Sequence, residues 1–340
     1  MADAARVFGV GLASAALAPA EREILERFPP RAVILFRRNI GSVDQLLALT
    51  ARVRELPGRP LLCVDEEGGP VDRFRDLLGP SISFREAAER GLSRRAGELA
   101  GEACVRLGFD VDLAPVVDRL LPGASERVLR DRCAPGEPGK IARAASEFVT
   151  GLHSRGVGAC VKHFPGLGRA SLDTHHELPM IPADAREEER DLAPFQATMA
   201  AARAVMISHA AGPDGRPASL SSDRATRLLR GALGFEGAAF SDDLEMGALA
   251  AFGSLPERCA AASSAGCDLL FVCSRISEYP TCVERVARQV PAARLEEAAG
   301  RLDRYAEHLE TVRRTAVTPD RPLADLIADI ASVRQMPHSS

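Results

Sequence analysis

The chain has 340 residues, 46% hydrophobic and 26% charged, with 43 basic against 47 acidic side chains and a formal net charge of -4. That is apolar chain enough for one large domain or two ordinary ones. The weak acidic balance argues against a strongly basic nucleic-acid face, and no Trp with only two Tyr argues against a base-stacking platform.

Read in chain order, short apolar runs predict strands over residues 8–12, 32–36, 61–65, 110–114, 159–163, 204–209, 238–241 and 268–273. Amphipathic stretches over 43–56, 140–155, 187–202 and 223–233 predict helices between them. Ser222 reads as an N-cap, and Gly156 and Gly234 read as C-terminal stops. Eight alternating strand and helix units imply parallel βαβ connections and a (β/α)8 TIM-type barrel. A doubly wound open sheet is the alternative, but no Gly-rich dinucleotide fingerprint follows the first strand. Residues 294–312 and 323–333 predict closing helices, so a single domain is expected, with a core over about 6–315 and a helical tail to 340. Residues 337–340 are expected to fray. No interdomain linker or internal repeat is evident.

None of the eight cysteines forms a CxxC pair, and a disulfide framework is not expected in a chain of this size without a secretion signal. Cys63, Cys160 and Cys273 lie in apolar runs and read as small hydrophobes. The N-terminus carries Asp3, Arg6, Pro19 and Glu21 rather than a basic start and a clean apolar core. No window holds 18 consecutive apolar residues, so no membrane span is expected and the cytoplasm is the expected compartment.

Catalytic groups of such barrels sit at the C-terminal strand ends. There the sequence places Asp65, Lys162 with His163, His209, and Asp242. One such residue could simply cap a strand; five at the same end point to a site. Arg73, eight residues after Asp65, could donate to the same ligand. Asp173 and His175 offer an acid/base couple, since a nearby carboxylate fixes an imidazole's tautomer and tunes its pKa. Zinc on His163, His175 and His176 is a further reading, but the spacing matches no common zinc pattern. Asp242 and Asp243 offer a nucleophile or base, with the first expected to face the site and the second to support a helix start.

These segments resemble family 3 glycoside hydrolases, most closely the bacterial β-N-acetylhexosaminidase branch. KHFPGLGRASLDTH, from Lys162, resembles the KHFPGxG…DSH signature, and FSDDLEMGAL, from Phe240, resembles the nucleophile segment. VDEEGGPVDR, from Val64, and VLRDRCA, from Val128, are similar to VDQEGGRVQR and IGxRSFG. The resemblance implies Asp242 as nucleophile, His175 as acid/base and Asp173 as its partner. It implies Asp65, Arg73, Arg132, Lys162 and His163 as saccharide contacts, with no cofactor and no metal. It further implies a retaining exo-β-N-acetylglucosaminidase acting on small saccharides from peptidoglycan, in the single-domain branch. Glu66, Pro70, Asp72, Cys133, Ala134 and Leu167 depart from the signatures without removing an implied catalytic group. A catalytically silent sugar-binding protein and a β-glycoside phosphorylase are the alternatives. Gly166 and Gly168 are expected to let the acid/base arm swing over the substrate.

Overall fold

The computed structural model describes residues 2–121, 129–170, 178–317 and 319–336. Its strands are short and apolar, and nearly all are buried on both faces, as parallel strands covered by helices must be. They are β1 (Phe8–Gly11), β2 (Ala32–Ile34), β3 (Leu61–Val64), β4 (Val111–Asp112), β5 (Gly158–Ala159), β6 (Val161–Phe164), β7 (Ala204–Ile207), β8 (Ala238–Asp243) and β9 (Leu269–Val272). Every pairing is parallel, in the order β5-β4-β3-β2-β1-β9-β8-β7-β6.

The two ends of that order are pieces of one strand, parted only at Cys160. The Cys160 amide still donates to Ala114 O at 3.1 Å, and the Lys162 amide to Pro115 O at 3.3 Å. The sheet therefore closes on itself as the expected eight-stranded barrel, and the open doubly wound sheet is excluded. Among the described residues, no helix is long and apolar enough to cross a membrane.

Asp110 and Asp268 do not belong to the strands the sequence predicted. Each sits just before its strand and accepts an amide of the neighbouring one, Leu62 N at 2.8 Å and Ala239 N at 2.9 Å. Each also takes arginines from the long helix Ala292–Thr315, Arg313 at 2.6 Å on Asp110 and Arg294 at 2.8 Å on Asp268. That helix closes the N-terminal end of the barrel. Its buried Tyr305 donates to Ala159 O at 3.1 Å.

The segment 223–233 also differs from expectation. It forms a wide π-helix, Asp223–Ala232, and Ser222 makes no side-chain cap. Leu228 and Leu233 both pack against the core, and the Leu233 amide donates to Leu228 O at 3.0 Å. The wider i→i+5 turn brings those two side chains nearer to one face than a 3.6-residue turn would. Gly156 and Gly234 follow their helices at φ +86° and +64°, the stops the sequence implies. The tail helix Leu323–Gln335 is docked by the buried Arg90, which donates to Val333 O at 2.8 Å.

The plug sets one packing constraint. A Cβ at Gly158 would lie 2.3 Å from Leu309 Cδ2 and 2.8 Å from the Tyr305 hydroxyl, both buried. Gly158→Ala is expected to cost about 1–3 kcal/mol through overpacking, read as a lower denaturant midpoint at unchanged slope. Gly139→Ala, whose Cβ would meet nothing within 4 Å, is the control and should be neutral or slightly stabilising.

Candidate active site

At the C-terminal strand ends the barrel opens on a cavity of about 170 Å3, lined by Asp65, Glu67, Arg73, Arg132, Lys162, His163, Asp242 and Asp243 with Phe36, Leu167, Met246 and other apolar side chains. Drug-sized ligands occupy pockets from roughly 300 Å3 upward, so this space suits a single small ring.

One half of the cavity is a charge network. Lys162, at the middle of β6 and 2% exposed, donates to Asp65 Oδ1 at 2.7 Å and pairs with Glu67 Oε1 at 2.6 Å. Arg132 binds the same Glu67 with both arms, Nε at 2.8 Å and Nη2 at 3.1 Å. Arg73 reaches Asp65 Oδ2 at 3.7 Å. Burial pushes the Glu67 carboxyl up, but Arg132 and Lys162 outweigh it and hold it well below the ordinary carboxylate range. Burial pulls Lys162 down, and Asp65 and Glu67 more than restore it, above the ordinary lysine value. Burial likewise opposes Arg132, and Glu67 reverses it.

Sequence reasoning singled out Asp65 in residues 64–69 and missed Glu67, which is 1% exposed and lies between both cations. The Arg132 Nη2 also lies 3.1 Å from His163 Nε2. His163 Nδ1 lies 2.7 Å from Asp118 Oδ2, on a buried carboxylate the sequence reading also passed over. Two departures from the resembling signatures, Leu167 and Cys133, pack together beneath this corner with Val116, Leu129, Ala170 and Ala210. The replacements thus form one apolar patch.

The other half comes from β8. Phe240 pairs with Leu269 and Asp243 with Phe271, so β8 carries one residue more than β9 between those points. This bulge breaks the two-residue alternation of the strand, and both Asp242 and Asp243 line the cavity. The expectation that only Asp242 would face the site is corrected, although Asp243 Oδ1 does cap the Glu245 amide at 3.1 Å.

Asp242 Oδ1 accepts the Asp243 amide at 2.8 Å. Burial raises the Asp242 carboxyl, but His209, His163, that amide and Lys162 outweigh it and keep it below the ordinary value. His209 does not line the cavity. Its Nε2 donates to Asp243 O and its Nδ1 meets Ser219 Oγ, both at 2.8 Å, so it pins the β8 backbone rather than a ligand. Burial lowers its pKa despite Asp242.

Asp173, His175 and His176 lie outside the described residues. The chain entering that segment is anchored by Arg169, which donates to Asp191 Oδ2 at 2.7 Å and to Pro182 O at 2.6 Å. A Cβ at Gly168 would lie 2.1 Å from Arg119 O, so close backbone approach accounts for this glycine without any hinge. Among the described residues, no three His, Cys, Asp or Glu side chains are grouped to hold a metal.

Such an arrangement can hold the hydroxyls of a polar ring on fixed charges and present an ionised carboxylate to it. The family model for the glycosyl hydrolase family 3 N-terminal domain matches residues 9–312. A beta-hexosaminidase of Xanthomonas oryzae pv. oryzae (strain MAFF 311018) is 37% identical over 305 residues, 85% of this chain and 89% of its own. A family 3 beta-N-acetylglucosaminidase from Paenibacillus sp. str. FPU-7 superposes with a TM-score of 0.84 at 27% identity, over 97% of this chain and 67% of that one. NagZ from Neisseria gonorrhoeae, solved in complex with N-trifluoroacetyl-D-glucosamine, gives a TM-score of 0.78 at 27% identity, over 96% and 98%.

The paired aspartates generate a pH prediction. Burial, with Glu245 and Asp242 adding, pushes Asp243 up to about 7, against about 3.9 in an unfolded chain. Between those values the folded state binds the extra proton. The contribution is therefore present in full below about pH 3.9 and lost as pH rises through about 7. Asp243→Asn, which keeps the cap on Glu245, should lose this dependence. Its unfolding free energy relative to wild type should rise steadily from acid to neutral pH in denaturant titrations. A constant difference would show that Asp243 has the same pKa in the folded and unfolded chain.

Proposed function

We propose, on the premise that the chain belongs to glycosyl hydrolase family 3 and is a glycoside hydrolase, that it removes terminal β-linked N-acetylglucosamine with retention of configuration. The observation that carries this reading is Asp242, ionised and open to the cavity, with Oδ1 engaged by the Asp243 amide and Oδ2 left to attack. Attack on the anomeric carbon would form a covalent glycosyl-enzyme. His175, oriented by Asp173, would protonate the departing oxygen and then deprotonate the incoming water. Asp65, Arg73, Arg132 and Lys162 would hold the ring hydroxyls, with charge-assisted hydrogen bonds fixing its orientation. The names of the relatives support the N-acetylglucosamine ring as substrate. Peptidoglycan-derived fragments in the cytoplasm are the proposed source.

Purified protein should release the chromophore from an aryl β-N-acetylglucosaminide. Asp242→Ala should lower that rate by several powers of ten with the fold intact, because it removes the attacking carboxylate. Absence of turnover by wild-type protein that still binds the sugar would make it a silent binding protein. Turnover should be equal with and without inorganic phosphate; sugar phosphate as the product would make it a phosphorylase instead.

A further inference from the structure

Asp118 lies beyond β4, fully buried, and both its carboxylate oxygens are used. Oδ1 accepts the Leu167 amide at 2.7 Å. Oδ2 accepts the His163 amide at 3.1 Å and faces His163 Nδ1 at 2.7 Å. On the other side of the ring, Nε2 is 3.1 Å from Arg132 Nη2. A guanidinium has donors and no acceptor, so Nε2 must accept. The ring proton then resides on Nδ1, where the Asp118 carboxylate takes it. Both nitrogens of His163 are committed before any sugar arrives.

We infer that Asp118 is a positioning residue of the hydrolytic site: by fixing the Nδ1–H tautomer of His163, it keeps Nε2 as an acceptor that holds the Arg132 guanidinium at the cavity wall. In the other tautomer, an Nε2–H would face an Nη2–H and push Arg132 away. Among the described residues Arg132 would then keep only its hydrogen bonds to Glu67, which it shares with Lys162. Through Arg132 the tautomer of His163, which itself lines the cavity, bears on how the sugar is held. The inference rests on the sugar-binding reading above for its consequence, but not for the tautomer itself.

The test has two parts. Nitrogen-15 correlation spectra of wild-type protein at neutral pH should show His163 protonated on Nδ1 and bare on Nε2. An Nε2–H ring, or an imidazolium, would overturn the inference whatever the enzyme does. The second part is calorimetric titration with N-acetylglucosamine, which needs no turnover. Asp118→Ala should shift the ring toward Nε2–H and weaken binding at least tenfold, about 1.4 kcal/mol. His163→Gln should weaken binding as well, and the double variant should be no worse than His163→Gln alone, because Asp118 acts through the ring. Additive losses would assign Asp118 a purely structural role. If Asp118→Ala does not fold, Asp118→Asn, of the same shape but with one acceptor oxygen, takes its place in the cycle. Wild-type protein with the expected tautomer but no affinity for the sugar would sink the functional reading and leave the tautomer standing.

Discussion

The site depends on one buried carboxylate held between a buried lysine and a partly buried arginine. Glu67 and Lys162 are almost entirely withdrawn from water and Arg132 is 15% exposed, so an unpaired charge among them is costly. Removing one partner from such a group typically costs about 3–5 kcal/mol, because the others are left uncompensated. The three therefore stand or fall together. Asp65 extends the network toward the cavity through Lys162, and His163 with Asp118 extends it away from the cavity through Arg132. Charges that cannot relax are what a binding wall for a hydroxylated ring requires, since little reorganisation is left for the moment of binding.

The barrel brings this network together from separate parts of the chain. Asp65 and Glu67 follow β3, Asp118 follows β4, Lys162 and His163 belong to β6, and Arg132 lies in the connection between β4 and β5. Opposite them, a one-residue bulge turns two consecutive aspartates of β8 into the same cavity. His209, on the segment after β7, holds that irregular backbone by its carbonyl. The far end of the barrel is given over to stability. There Asp110 and Asp268 tie strand amides to arginines of the closing helix, and Tyr305 fills the space above Gly158. Binding chemistry and structural ion pairing thus occupy opposite ends of the same strands, as is usual for this architecture.

Much of this was legible in the sequence. Apolar runs located all eight strands, and polar residues at their ends pointed to Asp65, Lys162, His163 and Asp242, all of which reach the cavity. The same criterion would have found Asp118, which follows the apolar run 113–117; it was passed over because its partners lie 45 and 49 residues away. Glu67 was hidden for the same reason, with Arg132 65 residues distant, and an acidic pair before two glycines reads naturally as a surface turn. Asp110 and Asp268 were misread as strand residues because a carboxylate beside an apolar run does not reveal on which side of the hydrogen-bonded ladder it stands. The bulge at Asp242 left no mark in the sequence, since it arises from the register of β8 against β9. Asp173 and His175 rest on the family resemblance and on their spacing alone.

The central claim is a division of labour: Asp65, Arg73, Arg132 and Lys162 meet the sugar, while Glu67 and Asp118 stand behind and hold them. A crystal structure of the protein with N-acetylglucosamine bound tests it most directly. The account predicts ring hydroxyls within hydrogen-bond distance of Asp65, Lys162 and Arg132, the anomeric carbon facing Asp242 Oδ2, and Glu67 still bridging Arg132 and Lys162. A sugar bound to Glu67 itself, with Arg132 or Lys162 released, would contradict it.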